Sequence, residues 1–217
     1  MGRGVFLGVV GTGVAGLFVG GRLSKAAAPL GAVVPNAIHS LVPDGWRIYS
    51  VNPPWPTFDP ATYRLTVDGA VERPLSLTWD EVMALPQARQ TTDFHCVTGW
   101  TVGNVHWQGV RLSDLWDRAK PTAEAKYANF ISMEYPYVDS LSMAQTVLPQ
   151  VMLGHSMGGA PLSRAHGSPM RLVIPEMYGY KGVKWLHRIE LVPKLQAGFW
   201  EQRGYDVDAW VGRSNGY

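Results

Sequence analysis

The chain contains a single cysteine, Cys96, which lies in the sequence DFHCVTGW at residues 93–100. One thiol forms neither an internal disulfide nor a paired-cysteine metal site. Three interpretations of Cys96 therefore stay open: a buried hydrophobic residue, a nucleophile, or one thiolate ligand of a metal that has other ligands. Thiolate sulfur is a soft ligand that suits a transition metal.

A second candidate for chemistry is Ser156, since residues 154–158 (GHSMG) match the G-x-S-x-G motif of serine hydrolases. That mechanism needs an acid and then a histidine, and Glu176 and His187 do follow in that order. The remaining chain is too short for the strand–helix units that carry these partners. The motif also requires a long helix after the serine, which Pro161 would break. Serine hydrolysis is therefore a minor alternative.

Residues 11–16 (GTGVAG) match the dinucleotide-binding pattern G-x-G-x-x-G. That pattern requires an acidic residue about 20 positions later, where it binds the ribose. The first acid of the chain is Asp44, which is too distant, and the match lies in an apolar stretch where small residues are common. The sequence therefore disfavours nucleotide binding.

The composition indicates one soluble-type domain with a sizeable core. The chain has 217 residues, of which 46% are hydrophobic and 17% charged, and these values are not those of a disordered chain. The formal charge of +2 is too small to indicate a nucleic-acid partner. The 24 glycines and 16 prolines predict many short elements joined by loops.

The amino terminus differs from the rest of the chain. Residues 5–21 form an apolar, glycine-rich run preceded by Arg3, about as long as a signal-peptide core and slightly short for a membrane span. Residues 26–28 are three alanines that provide a cleavage site. We therefore expect residues 1–28 to be an export signal or membrane anchor, and the protein to act outside the cytoplasm, in the periplasm or an equivalent compartment.

Alternating and apolar runs predict the elements that must position Cys96 and its neighbours. A helix begins at Thr78, which has the acid three residues later that a capping box requires, and ends by Leu85. Further helices are predicted at 112–118 and 143–148. Strands are predicted at 63–67, 75–77, 90–94, 105–110, 129–133, 170–175 and 185–191. The strand at 90–94 places Cys96 just beyond its end.

Three sequence blocks together resemble the sulfite oxidase-like molybdopterin oxidoreductases, and within them the catalytic subunits of periplasmic methionine sulfoxide reductase systems. The blocks are HCVTGW with WQGV and LSDL (95–115), GAPL with HGSPMRL (159–172), and PEMYGYKGVKWL (175–186). Their order and spacing follow the family. The resemblance implies an α+β, mixed-sheet sulfite oxidase-type fold, rich in loops, with the molybdopterin-binding oxidoreductase domain at residues 29–217.

The resemblance also implies a molybdenum–molybdopterin cofactor, with Cys96 as the catalytic residue and the protein ligand of the metal. Arg171 and Lys184 would bind the pterin phosphate, because a guanidinium and an ammonium suit that anion. Lys181 is left open between a cofactor contact and a solvated turn. The residues that the resemblance assigns to the cofactor are Asn52, Trp55, Cys96, Ser132, His166, Arg171, Gly182, Val183 and Lys184.

The chemistry implied by this family is two-electron oxygen-atom transfer. Classical sulfite oxidases carry an arginine for the sulfite anion five residues after the cysteine, where this chain has Thr101. That difference favours reduction of a sulfoxide-type substrate, either a small molecule or oxidised sulfur in a protein. The reductases often have a glutamate where this chain has Thr98, so other S-oxides and N-oxides stay open. Sulfite oxidase-type oxidation and a non-catalytic cofactor-binding protein are the alternatives.

The resemblance implies a separate redox partner as well, since the sequence shows no heme-binding motif or second redox cofactor. A membrane heme protein is the partner that the family leads us to expect.

Overall fold

Two β-sheets frame the protein in its computed structural model, which describes residues 45–215. The predicted leader at residues 1–28 lies outside that range. No helix within residues 45–215 is long and apolar enough to span a membrane.

Within residues 45–215, the sheets contain ten strands, and three short α-helices connect them. The strands are β1 (Arg64–Gly69), β2 (Leu75–Thr78), β3 (Ala88–Cys96), β4 (Trp100–Arg111), β5 (Tyr127–Ser132), β6 (Val138–Ser142), β7 (Met152–Met157), β8 (Ala160–Pro161), β9 (Arg171–Val173) and β10 (Leu186–Val192). The helices are α1 (Trp79–Met83), α2 (Leu112–Ala119) and α3 (Met143–Thr146), with 3₁₀ turns at Arg164–His166, Gly179–Lys181 and Glu201–Arg203.

The first sheet has the strand order β2-β1-β10-β5-β6 and is mixed. β1 and β10 are parallel, with Thr66 opposite Arg188, and the other pairs are antiparallel. Leu65 and Val67 of β1 are fully buried while their neighbours are not, which is the alternation expected of a strand with one face on the core.

The second sheet is antiparallel, with the order β3-β4-β7-β8 and with β9 also paired to β7. Successive residues of β7 and β9 belong to different apolar clusters: Leu153 and Leu172 to the larger, Met152 and Val173 to the smaller. Because successive strand residues point to opposite faces, both faces of this sheet are covered.

The larger cluster is the main core between the two sheets. α2 contributes Leu112, Leu115 and Trp116 to it, a spacing of three and four residues that places them on one helix face. The smaller cluster combines two tryptophans, Trp46 and Trp107, with non-aromatic apolar residues.

Most predicted elements are present, with shifted ends. The Thr78–Glu81 capping box forms as predicted, and α1 ends at Met83, within the predicted limit of Leu85. α3 is also shorter than predicted, ending at Thr146. Strands β6, β7 and the two-residue β8 were not predicted.

The G-x-S-x-G motif lies in β7 and the turn that follows it. The chain then pairs back as β8, with Ser156 opposite Pro161. The Ser156 hydroxyl donates a hydrogen bond to the Ala160 carbonyl at 2.8 Å. A nucleophile elbow requires a strand, a sharp turn and a helix, and this motif forms a hairpin instead.

Candidate functional site

Cys96 is the last residue of β3 and lies opposite Trp100 in the tight hairpin to β4. The hairpin is closed by the Gly99 amide, which donates to the Cys96 carbonyl at 3.0 Å. Gly99 has φ +86°, a conformation that favours glycine. This turn leaves the Cys96 thiol partly buried, with its sulfur 3.2 Å from the Thr98 hydroxyl.

The electrostatic setting of Cys96 bears on its chemistry. Burial raises the pKa of the Cys96 thiol, and hydrogen bonding from Thr98 opposes that effect only partly. A cysteine nucleophile has a lowered pKa because a base or cation lies beside it. Bound metal, in contrast, keeps a thiol deprotonated whatever its free pKa. The setting therefore favours a metal ligand over a free nucleophile.

Tyr49 connects the cysteine hairpin to Lys184. Its hydroxyl lies 3.4 Å from the Thr98 hydroxyl, and its carbonyl accepts a hydrogen bond from the Lys184 ammonium at 2.6 Å. The same ammonium lies 4.1 Å from the centre of the Trp185 ring, a cation–π distance. Tyr49 thus links the cysteine hairpin to Lys184.

Arg171 approaches the site from β9. Its guanidinium donates to the carbonyls of His166, at 3.4 Å, and Gly182, at 3.2 Å. It lies over the rings of Phe94 and Trp107, 5.4 and 5.7 Å from their centres. Phe94 is two residues before Cys96, so β3 contributes both the thiol and one wall of the arginine pocket.

The charges of Arg171 and Lys184 are not neutralised within residues 45–215. Neither side chain forms a salt bridge there, and the buried Arg171 Nε has no hydrogen-bond partner in that range. Burial lowers the pKa of Arg171 to about 10. Burial, and then the charge of Arg171, lowers the pKa of Lys184 to about 7, while the charge of Glu134 acts in the opposite direction. A cation that is buried without a counter-ion is costly. Arg171 is buried and Lys184 is partly buried, so an anionic group fits this site.

His166 and Lys184 are set by the turn at Gly167. His166 is buried, and its ring meets Trp46 edge-on at 4.9 Å between centres. Gly167 has φ +102°, and a Cβ there would lie 2.7 Å from the Lys184 Cβ. Only glycine allows the two segments to approach this closely.

Gly182 and Val183 lie at the site through their backbones, but their amides are used locally. The Gly182 amide donates to the Gly179 carbonyl at 3.1 Å, and the Val183 amide to the Lys181 carbonyl at 3.0 Å. In this structure, Gly182 contributes its carbonyl, which holds Arg171.

The remaining predicted residues surround Lys184. The Ser132 hydroxyl donates to the Lys184 carbonyl at 2.7 Å. Trp55 lies with its ring centre 6.4 Å from that of Trp185, and its buried indole Nε1 has no hydrogen-bond partner among the described residues. Asn52 is exposed, and its side-chain amide donates to the Tyr135 carbonyl at 2.8 Å.

Sequence reasoning missed Glu134, which fixes the loop that carries Asn52. The Glu134 carboxylate accepts hydrogen bonds from the Val51 amide at 3.0 Å, the Asn52 amide at 3.2 Å and the Ser50 hydroxyl. No local pattern identifies this residue, since its partners lie 82 to 84 positions away in the chain.

Lys181 is not a solvated turn residue and does not point to an open ligand position. Its side chain is 1% exposed and forms salt bridges with Asp139, at 2.6 Å, and with Glu201. Its charge is therefore already paired within the protein.

Among solved structures, the sulfane dehydrogenase SoxCD from Paracoccus pantotrophus is similar, with a TM-score of 0.63 at 26% identity. The match covers 72% of this chain and 44% of that one. The chain therefore has the sulfite oxidase-type α+β fold expected from the sequence.

Residues 52–200 match the family described as oxidoreductase molybdopterin binding domain. The chain belongs to this family of molybdopterin-dependent oxidoreductases, and the resemblance of the three sequence blocks is confirmed.

Two curated relatives differ in how much of their length the chain covers. The uncharacterized oxidoreductase YuiH of Bacillus subtilis is 34% identical over 154 residues, which are 70% of this chain and 77% of that protein. The protein-methionine-sulfoxide reductase catalytic subunit MsrP of Campylobacter jejuni is 30% identical over 160 residues, 66% of this chain and 54% of that protein. The chain thus spans about half of the length of MsrP.

Proposed function

We propose that the protein holds a molybdenum–molybdopterin cofactor through Cys96 and catalyses two-electron oxygen-atom transfer, in the direction that reduces a sulfoxide-type substrate. The observation that carries the proposal is a pair of cations beside the hairpin of the only cysteine, Arg171, which is buried, and Lys184, which is partly buried. Neither side chain forms a salt bridge within residues 45–215. The phosphate of a pterin cofactor would supply the missing negative charge.

The protein's part in this reaction is to bind and orient. Cys96 would hold the metal, while Arg171 and Lys184 bind the phosphate and His166 adds a polar contact. The bound cofactor supplies the oxygen-atom and electron transfer. Trp55 and Arg171 each keep a buried N–H donor that has no hydrogen-bond partner within residues 45–215, and these donors fit the polar atoms of such a ligand.

The surroundings of Thr101 support the direction of the reaction. Thr101 is exposed, and its hydroxyl lies 3.0 Å from His95 Nδ1. Sulfite is an anion and requires a cation near the metal, whereas a sulfoxide is neutral and does not. The likeness to MsrP, whose name gives protein methionine sulfoxide as its substrate, agrees with this choice. The likeness to a sulfane dehydrogenase makes oxidation of reduced sulfur the second candidate.

The site of action and the partner are part of the proposal. We infer export or membrane attachment through residues 5–21, and an external electron donor such as a membrane heme protein. A fusion of residues 1–28 to a reporter that is active only outside the cytoplasm tests the first point. An inactive reporter, with a known signal peptide active in parallel, would contradict export.

Metal content tests the cofactor. Protein purified from a host that makes molybdopterin should contain close to one molybdenum per chain and release a fluorescent pterin on denaturation. Cys96→Ser should lose most of the metal, and Ser156→Ala should retain both metal and activity. Well-folded wild-type protein without molybdenum would contradict the proposal, and loss of activity in Ser156→Ala would favour a hydrolase.

Turnover assays test the direction. With a reduced dye as donor, the loaded protein should reduce methionine sulfoxide, free or in an oxidised protein, faster than it oxidises sulfite with an acceptor dye. The reverse preference would support the second candidate. Bound molybdenum without turnover of any oxide or sulfur substrate would indicate a non-catalytic cofactor-binding protein.

A further inference from the structure

The segment after β10 runs back over the loop that carries the third sequence block. We call residues 197–215 the carboxy-terminal strap and residues 175–184 the cofactor loop. Backbone hydrogen bonds join them, from the Tyr178 amide to the Ala209 carbonyl at 2.8 Å and from the Val211 amide to the Glu176 carbonyl at 3.0 Å. The Tyr180 hydroxyl adds a bond to the Asp206 carbonyl at 2.7 Å.

A buried ion cluster fixes this contact. The Lys181 ammonium of the cofactor loop lies between Asp139 of β6, at 2.6 Å, and Glu201 of the strap, and all three side chains are at most 2% exposed. Glu201 also accepts the Gly198 amide at 2.7 Å. Glu201 therefore makes one contact within the strap and a second contact with Lys181 of the cofactor loop.

The cofactor loop connects the ion cluster to Arg171. The carbonyl of Gly182, the residue after Lys181, accepts a hydrogen bond from the Arg171 guanidinium. The Leu172 amide donates to the Val183 carbonyl at 2.9 Å. A shift of Lys181 would move both contacts, and with them the guanidinium proposed to bind phosphate.

The strap lies at the border of what the family shares. The family match ends at residue 200, and Glu201 is the next residue. The ion cluster therefore combines two residues of the matched region, Lys181 and Asp139, with one residue beyond it.

We propose that Glu201, Lys181 and Asp139 are positioning residues, through which the strap holds the cofactor loop and so determines how firmly Arg171 retains the cofactor. This inference rests on the proposed function. The residues would act through the loop, because the charge of Lys181 is already paired with Asp139 and Glu201.

The test variant is Glu201→Ala, which removes the anchor of the strap. We expect the amides of Lys181, Gly182 and Val183 to exchange with solvent at least about tenfold faster in this variant, measured by hydrogen exchange on cofactor-free protein. We also expect molybdenum to dissociate faster from the loaded variant than from wild type, well below the unfolding transition.

Three control variants separate positioning from general destabilisation. Asp139→Asn keeps an oxygen atom that can accept a hydrogen bond from Lys181, and the Glu201 carboxylate still pairs with the Lys181 ammonium. The loop amides of this variant should therefore stay as protected from hydrogen exchange as those of wild type. Gln202→Ala alters an exposed strap residue that bonds the Ala197 carbonyl and should change nothing. Thr78→Ala removes the α1 cap, whose side-chain bonds are with Glu81, and should lower stability without faster loop exchange or molybdenum release.

Each outcome decides the proposal. Wild-type exchange in Glu201→Ala would overturn it, as would equal acceleration in Thr78→Ala at matched stability. Faster loop exchange with unchanged molybdenum release would show that the strap does not serve cofactor retention. Wild-type protein without molybdenum would contradict the proposed function, and the exchange measurement would still decide whether the strap positions the loop.

Discussion

Lys184 shows at the residue scale how burial prepares a site for an anion. Its pKa is lowered to about 7 because the ammonium is buried and lies near the charge of Arg171. A bound anion would raise the pKa of Lys184 again, because it pairs with the ammonium and so favours the protonated amine. Binding of an anion should therefore be coupled to proton uptake by Lys184.

This coupling gives a prediction for sulfate, which stays a dianion across the range. Cofactor-free protein should bind sulfate more tightly as the pH falls from 9 to 6, by about tenfold, measured by calorimetric titration. Lys184→Met should bind weakly at every pH, and Lys184→Arg tightly at every pH. A pH dependence unchanged in Lys184→Met would show that another group titrates.

Asp139 is a second residue whose charge the fold disfavours. Burial raises its pKa to about 7, the charge of Lys181 opposes this shift, and the charge of Glu201 adds to it. The folded protein then binds a proton that the unfolded chain has already lost near pH 4. The stabilisation that comes from this proton on Asp139 is complete below pH 4 and is lost as the pH rises through 7.

Asp139→Asn removes this titration. Between pH 5 and 8, the free energy of unfolding of wild type should fall relative to that of the variant, measured as urea midpoints. The matched control is Asp206→Asn, on an exposed carboxylate. Parallel curves for wild type and Asp139→Asn would contradict a raised pKa at this residue.

The sequence identifies residues of the site where chemistry restricts the type of residue. A single cysteine in a recognisable block and an arginine at a fixed spacing are local signals. Glu134 and Tyr49 carry no such signal, because their roles come from contacts between segments far apart in the chain. Lys181 is the opposite case, since its block suggested a ligand contact and its partner Glu201 lies outside the blocks.

At the scale of elements, the site is built where turns come close to one another. The turn at Gly167 meets Lys184 with no room for a side chain. Gly204 shares the left-handed backbone, with φ +93°, but no atom lies within 4 Å of the position of a Cβ. A comparison of substitutions at Gly167 and Gly204 therefore separates the effect of backbone strain from the effect of crowding by neighbouring atoms.

Gly167→Ala should lower the free energy of unfolding by about 3 kcal/mol, because strain and overpacking add, and should reduce molybdenum content. Gly204→Ala should cost about 1 kcal/mol and leave the metal content unchanged. Chemical denaturation and metal analysis of both variants test this difference. Equal losses of molybdenum in Gly167→Ala and Gly204→Ala would mean that crowding at Lys184 does not determine the metal content.

Of the three strands that sequence prediction missed, β6 and β7 have identifiable physical reasons. β7 is buried along five of its six residues because both faces of its sheet are covered, so its sequence does not alternate. β6 places Asp139 and Ser140 in the interior, where Lys181 and Asn129 bind them. Polar residues there resemble a loop unless their distant partners are known.

At the scale of the whole molecule, the empty protein carries an electrostatic cost that its cofactor would relieve. The charges of Arg171, which is buried, and of Lys184, which is partly buried, should destabilise the folded state until an anion pairs with them. Binding to the folded state alone also stabilises it by mass action.

Loaded protein should therefore exceed empty protein in free energy of unfolding by about 3 kcal/mol or more. Lys184→Met should narrow that difference, chiefly by stabilising the empty form, whereas Lys194→Met, on an exposed lysine, should not. Thermal and chemical unfolding of loaded and empty samples measure both effects. If loaded and empty protein differ in free energy of unfolding by the same amount in Lys184→Met as in wild type, Lys184 is not a source of the electrostatic cost.

The order of strands in the first sheet also governs when the protein can acquire its structure during synthesis. β10 is the central strand, between β1 and β5, although it is the last strand to be made. At a typical translation rate, β1 waits on the order of 10 s for its parallel partner. Until residue 192 has left the ribosome, the first sheet can form only as two separate strand pairs, β1 with β2 and β5 with β6, whose apolar faces are exposed. The nascent chain should therefore depend on chaperones until synthesis is nearly finished.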